Sequence, residues 1–160
     1  MTNTPPVCCG VPARLTTGAE IYPNRSDLRT KPIYKCDRCK SYCGCHPNTT
    51  KSLGVPANAA TRRARSQLHD LVFDPIWKNA VKTGGYGDVD IKDAGKIRKA
   101  ARGRLYGYLA EKLGLDRDGC HTGMFTVEQC ELAAEALRGV TYPMVQEWHD
   151  AKRKQREQAT

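Results

Sequence analysis

The chain has 160 residues, room for one ordinary domain or two small ones, which excludes a large multidomain enzyme. Leu, Ile, Val and Phe supply only 27 of these residues, so apolar burial is thin. Eight cysteines and four histidines are the natural compensation, since a structural metal contributes about 10 to 16 kcal/mol of apparent binding free energy. Lys and Arg outnumber Asp and Glu by 26 to 17, and the net charge of +9 favours polyanionic partners, nucleic acid first.

The first ten residues, MTNTPPVCCG, contain neither a basic stretch nor an apolar one, and no apolar run approaches the roughly 20 residues of a membrane helix. The expectation is a cytoplasmic protein that does not meet a membrane. In a reducing compartment, clustered thiols read as metal ligands before they read as disulfides.

Six of the eight cysteines precede residue 46, in a stretch broken repeatedly by Pro and Gly, where long helices are excluded. Ala13-Arg14-Leu15-Thr16 and Pro32-Ile33-Tyr34-Lys35 are short, partly alternating runs between turn formers, which predicts strands of a ribbon. Residues 1 to about 55 therefore read as a metal-stapled β module, and 56 to 160 as a helical domain of about four helices with a basic surface. The expected class is α+β. In the second part, Asn58 or Thr61 caps a helix through about Phe73, and Asp74-Pro75 marks a new start. After a Gly84-Gly85-Tyr86-Gly87 loop, apolar residues at Ile97, Ala101, Leu105, Tyr108, Leu109 and Leu113 define one face of a helix over 92–113, ended by Gly114. Thr126 and Gln129 have capping-box spacing ahead of a helix that closes at Gly139, and a polar helix runs from Pro143 to about Gln158.

Cys36-Asp37-Arg38-Cys39 lets two thiolates converge on one tetrahedral ion. Its partner is Cys8-Cys9-Gly10, on the other arm of the expected hairpin. Pro6 stands three before Cys9, so this arm lacks the usual Cys-x-x-Cys; Cys9 is the stronger ligand and Cys8 the fourth, unless Cys43, Cys45 or His46 replaces it. Such a four-thiolate site is closed, and its Zn2+ is structural. Cys43, Cys45 and His46 exceed the needs of one ion. With Cys120-His121, the other adjacent Cys-His pair, and with His69, Cys45 and His46 form a candidate second cluster, either a second Zn2+ site or a metal-free contact.

These motifs, taken in order, resemble the phage-encoded zinc-finger-containing proteins of unknown function found in tailed phages and prophages. The likeness spans about residues 5 to 138. It rests on Cys9-Gly10, the Tyr34-Lys-Cys36-Asp-Arg-Cys39 knuckle, the Tyr42-Cys-Gly-Cys-His46-Pro-Asn-Thr-Thr-Lys-Ser-Leu53 segment and Arg62-Arg-Ala-Arg65-Ser-Gln-Leu-His69 through Trp77. It continues in Arg104-Leu-Tyr106-Gly-Tyr-Leu109 and Cys120-His121-Thr-Gly123. The resemblance implies a zinc ribbon joined to a helical segment and brings no activity with it. Pro6 stands where the family pattern has its first cysteine.

Basic residues fall in separate runs. Between 92 and 104 there are six cations against Asp93 alone, with Lys92, Lys96 and Lys99 on one helix face and Ile97, Ala101 and Leu105 on another. Arg62, Arg63 and Arg65 form a second run, and a third lies along the ribbon. Lys92, Lys96, Lys99 and Arg102, with Arg62, Arg63 and Arg65, are thus the candidate contacts to phosphates. Walker, nucleophile-elbow and His-Glu-x-x-His motifs are absent. The leading expectation is a phage accessory or regulatory protein that binds DNA or RNA. The alternatives are a protein that binds and modulates a host machine, and a metal-dependent nuclease using His69, Asp70 and Asp74.

Overall fold

The computed structural model describes residues 4–159 of the chain, so the first three residues and the last residue assigned above to the two domains lie outside the described residues. The described chain divides into two compact units. One runs to Arg65 and takes in Thr122–Val127; the other comprises Ser66–His121 and the chain from Glu128 onward.

The first unit is built from two small antiparallel sheets. Strands β1 (Val7–Cys8) and β2 (Val11–Pro12) form a hairpin turned by Cys9-Gly10. Both turn residues have positive φ, 53° and 74°, the left-handed geometry that a two-residue hairpin needs to match strand twist. Strands β3 (Arg14–Thr17), β4 (Pro32–Lys35) and β5 (Tyr42–Gly44) form the second sheet in that order, with Leu15 opposite Tyr34 and Tyr34 opposite Cys43. Both runs expected to be strands are strands and pair with each other. A short helix α1 (Gly18–Ile21) fills part of the β3–β4 connection. The apolar centre is small: Ala13, Tyr34 and Cys43, with Cys45 packed against them.

Further along, the Gly54 region meets the returning segment 122–127. Val55 donates its N–H to Gly123 O at 3.1 Å, and a Cβ on Gly54 would lie 1.9 Å from that same oxygen, so no larger residue fits there. Arg65 ties both strands of chain together, donating from Nε to Phe125 O at 2.8 Å and from Nη1 to Val55 O at 2.9 Å.

Helix α2 (Ala59–Gln67) begins where the Asn58 side chain accepts the Thr61 N–H at 2.9 Å, so Asn58 is the cap. A new helix starts at Asp74-Pro75 as expected, though the backbone stays helical across the boundary. The chain passes through a π-helical turn, Leu68–Phe73, directly into α3 (Asp74–Lys78), and Asp74 N–H reaches back five residues to His69 O. The wider turn accommodates Pro75, whose ring in an α-helix would collide with the carbonyl four residues earlier. Helix α4 (Ala80–Thr83) follows.

In the second unit, α5 (Ile91–Leu113) is capped by Asp90, which accepts the Asp93 N–H, and is stopped by Gly114 at φ 64°. It packs against α3, α4 and α7 (Tyr142–Gln158). Ala101, Leu105 and Leu109 are wholly buried on it, together with Phe73, Cys120, Ala133 and Val145 from the other elements. Helix α6 (Val127–Ala136) starts one residue after Thr126. Inside the unit, Arg104 donates to the hydroxyls of Tyr142 at 2.6 Å and Tyr86 at 3.2 Å, which anchors the glycine-rich loop to α7. Among the described residues, no helix is long and apolar enough to cross a membrane.

Candidate metal centre

Two tight turns present four thiols to one point. In the first, β1 delivers Cys8, and the left-handed backbone at Cys9 turns its side chain back beside it. In the second, Cys36 N–H donates to Ser41 O and Lys40 N–H returns to Cys36 O, both at 2.8 Å, with Lys40 at φ 61°. That loop carries Cys36 and Cys39 on the same side. The donor atoms of Cys8, Cys9, Cys36 and Cys39 all lie within 4.8 Å of one another. Cys8 Sγ is 3.5 Å from Cys39 Sγ and 4.0 Å from Cys9 Sγ. Four sulfurs around an ion at about 2.3 Å in a tetrahedron would stand roughly 3.8 Å apart, so the set fits a metal of that size. Among the described residues it is the one group of three or more His, Cys, Asp or Glu side chains that converges in this way. All eight cysteines are free thiols.

The acid-base chemistry of the set points the same way. Cys39 is held down to about 6 by the Ser41 side chain and backbone N–H, then by the Cys8 and Cys9 thiols. Cys8 is pushed far above the usual thiol range by burial and by hydrogen bonding to Cys39, Cys36 and Cys9. Hydrogen bonding to Cys39 raises Cys9 as well. Without a cation the cluster favours one thiolate and opposes the next; a bound cation is what lets four negative sulfurs coexist. The surroundings fix the loops. Arg38 donates to Cys9 O at 3.2 Å, and Arg14 holds Asp37 while also pairing Glu20, which Lys35 and Thr16 share.

The remaining candidate ligands have surroundings of other kinds. In the first unit, Cys43 is buried with its sulfur 3.4 Å from Ser52 Oγ, the Cys45 backbone forms an isolated antiparallel β-bridge with Ser52, and His46 N–H donates to Lys51 O. The second unit buries Cys120 and stacks His121 on Tyr106, ring centroids 5.8 Å apart and 12° from parallel. It also places His69 Nδ1 3.1 Å from Asp74 Oδ1. Burial would raise the Asp74 carboxyl, but hydrogen bonds from Lys78, His69 and Trp77 outweigh it and hold the group below its ordinary range. Asp70 takes the Ser66 hydroxyl.

The basic candidates divide in a way their spacing did not reveal. Lys92, Lys96, Lys99 and Arg102 are exposed on α5, while Ala94, Ala101 and Leu105 face inward. Arg63 is exposed as well. Arg65 spends its guanidinium on the Phe125 and Val55 carbonyls, and Arg62 lies 3.8 Å over the Tyr42 ring while donating to Ala57 O.

Comparison with known proteins gives one result. The family model of the DUF3268 zinc-finger-containing domain matches residues 4–86, more than half of the chain, and the chain belongs to that family. No curated protein and no solved structure gives a match.

Proposed function

We propose that this zinc-finger-containing protein is a nucleic-acid-binding accessory or regulatory factor, with one structural Zn2+ at Cys8, Cys9, Cys36 and Cys39 and a phosphate-binding face on α5. The observation that carries the reading is the exposure of Lys92, Lys96 and Lys99 on the side of α5 away from its buried alanines and leucine, with exposed Arg102 on the flank beside Trp77 and Tyr106. Only Lys96 among the three lysines is paired, with Asp93 at 2.7 Å. Zinc is the metal of choice for four thiolates at tetrahedral spacing. The motif order quoted above supports a phage origin, and eight free thiols support a reducing host cytoplasm as the place of action.

Titrating fluorescent random-sequence DNA and RNA across salt tests the reading. Binding at about 50 mM salt that weakens steeply towards 200 mM supports it, and no binding to either polymer at low salt overturns it.

A second reading, a protein-binding modulator of a host machine, is favoured by an apolar groove of about 480 Å³ in the second unit. Leu71, Val72, Ile76, Leu137 and Val140 line it, and Leu71 is largely exposed. The nuclease reading gains least, because Asp74 already accepts from three neighbours.

A further inference from the structure

The first unit contains a cavity of about 410 Å³ on the β4–β5 side of its three-stranded sheet. Its walls are apolar, formed by Leu28, Pro32, Ile33 and Pro47. At one side lies an aromatic pair: Tyr22 donates its hydroxyl to that of Tyr42 at 2.8 Å, and the rings meet edge to face at 5.6 Å. Tyr42 can still donate its own hydroxyl proton. Around the same cavity stand Lys31, His46 and Arg62, the last laid over one face of the Tyr42 ring and bonded to Ala57 O, and no carboxylate is among the lining residues. Among the described residues no acidic side chain pairs Lys31 or His46. A second hollow, lined by Thr30, Lys31, Pro32, Asn48, Thr49 and Thr50, shares Lys31, Pro32 and Asn48 with the first and so continues it along the surface.

An apolar slot with an aromatic wall, a few polar groups and only positive charge suits a planar heterocycle that carries an anion. The continuation past Lys31, edged by hydroxyls, suits an anionic chain leading away from it. We infer that this cavity holds one unpaired nucleotide of a single-stranded nucleic acid, its base against the Pro32-Ile33 wall beside the Tyr22–Tyr42 pair and its phosphate at Lys31. The arrangement is the usual logic of single-strand recognition, in which aromatic faces take bases and a basic track takes the backbone. The inference deepens the nucleic-acid reading given above and rests on it for the class of partner, although its residues are separate from the α5 lysines. It gives the protein a preference for unpaired strands that α5 alone would not confer.

The test compares three probes on the zinc-loaded full chain: a 12-nucleotide single strand, an abasic strand of the same length and charge, and a free mononucleotide. The inference expects the base-bearing strand to bind roughly tenfold more tightly than the abasic one, the scale of one stacked base. Tyr42→Leu should abolish that difference while leaving zinc content unchanged, and Lys31→Glu should weaken both strands alike. Photo-cross-linking through 5-iodouracil should mark Tyr42 or His46. Equal binding of the base-bearing and abasic strands overturns the inference and leaves the backbone reading standing. A preference that survives in Tyr42→Leu protein, or cross-links only outside residues 22–62, overturns it as well. Mononucleotide binding as tight as that of the strand overturns the strand as the source. Lys92→Ala/Lys96→Ala/Lys99→Ala protein that keeps the base preference but loses no affinity for the abasic strand sinks the α5 reading and not this one.

Discussion

Arg14 grips Asp37 through two parallel bonds, Nε to Oδ2 at 2.9 Å and Nη2 to Oδ1 at 3.0 Å. Asp37 lies between the two knuckle cysteines, so this fork ties β3 to the loop that carries half of the converging thiols. Arg14→Ala should therefore loosen the knuckle without unfolding the sheet. The pair is exposed, and the metal affinity should fall only a few fold, below the roughly 10- to 100-fold that follows removal of a group bonded directly to a ligand. Competition with a chromogenic chelator reads this out.

The same fork sets an acid limit. Arg14, followed by desolvation in the opposite sense, holds Asp37 below the ordinary carboxylate range, and Arg14, Lys35 and Thr16 hold Glu20 there too. A depressed carboxyl stabilises the fold above its unfolded pKa of about 4, and that contribution is lost as pH falls through the lower folded value. The difference in melting temperature between wild type and Arg14→Ala should be full at neutral pH and shrink below pH about 4. A difference that grows on acidification contradicts the assignment.

Cys36 is the buried member of the thiol set, and Cys36→Ser should cost the chain its metal and open residues 4–65 to protease. Elemental analysis should give close to one equivalent of zinc for the wild type and little for the variant. Less than about half an equivalent in wild-type protein purified without chelator refutes the single structural site.

In metal-stripped protein at pH 7, iodoacetamide should modify Cys39 first, because it is exposed and its thiol is lowered to about 6, whereas Cys36 is buried and Cys8 is raised. Zinc should suppress the labelling. Peptide mass mapping that finds Cys36 or Cys120 modified ahead of Cys39 contradicts the described geometry.

Leu105 is wholly buried beneath α5, and Leu105→Ala should destabilise the second unit by about 2 to 5 kcal/mol in denaturant unfolding. Zinc content should not change. The α5 lysines should behave in the opposite way: converting Lys92, Lys96 and Lys99 to Ala leaves stability nearly intact and flattens the salt dependence of duplex DNA binding by roughly 0.9 log unit per lost phosphate contact.

Much of this architecture was legible in local chemistry. Cys36-x-x-Cys39 declares its purpose by spacing, β3 and β4 by alternation between turn formers, and α5 by a periodic stripe with a cap and a terminal glycine. Three things were hidden. A π-turn has no sequence period of its own, so Pro75 marked a helix start without showing that the backbone stays helical across it. Arg65 looked like a surface charge because its partner Phe125 O lies sixty residues along the chain, and Arg62 because its place over the Tyr42 ring depends on the folded sheet; neither leaves a mark on spacing. The cavity beside Tyr42 is assembled from the β3–β4 connection, two strands and the first turns of α2, and no short motif contains it.

The return of residues 122–127 to the first unit has a consequence for how the protein is made. A ribosome releases Arg65 sixty residues before the Phe125 carbonyl it will hold. The nascent chain can close its thiol loops and take up metal early, yet Gly54 and Val55 wait, unpaired on one side, until most of the helical part has emerged. Cutting the gene after residue 86, where the family match ends, would keep all four converging thiols and discard the segment that completes the unit. The recognisable domain of this family member is shorter than its folding unit.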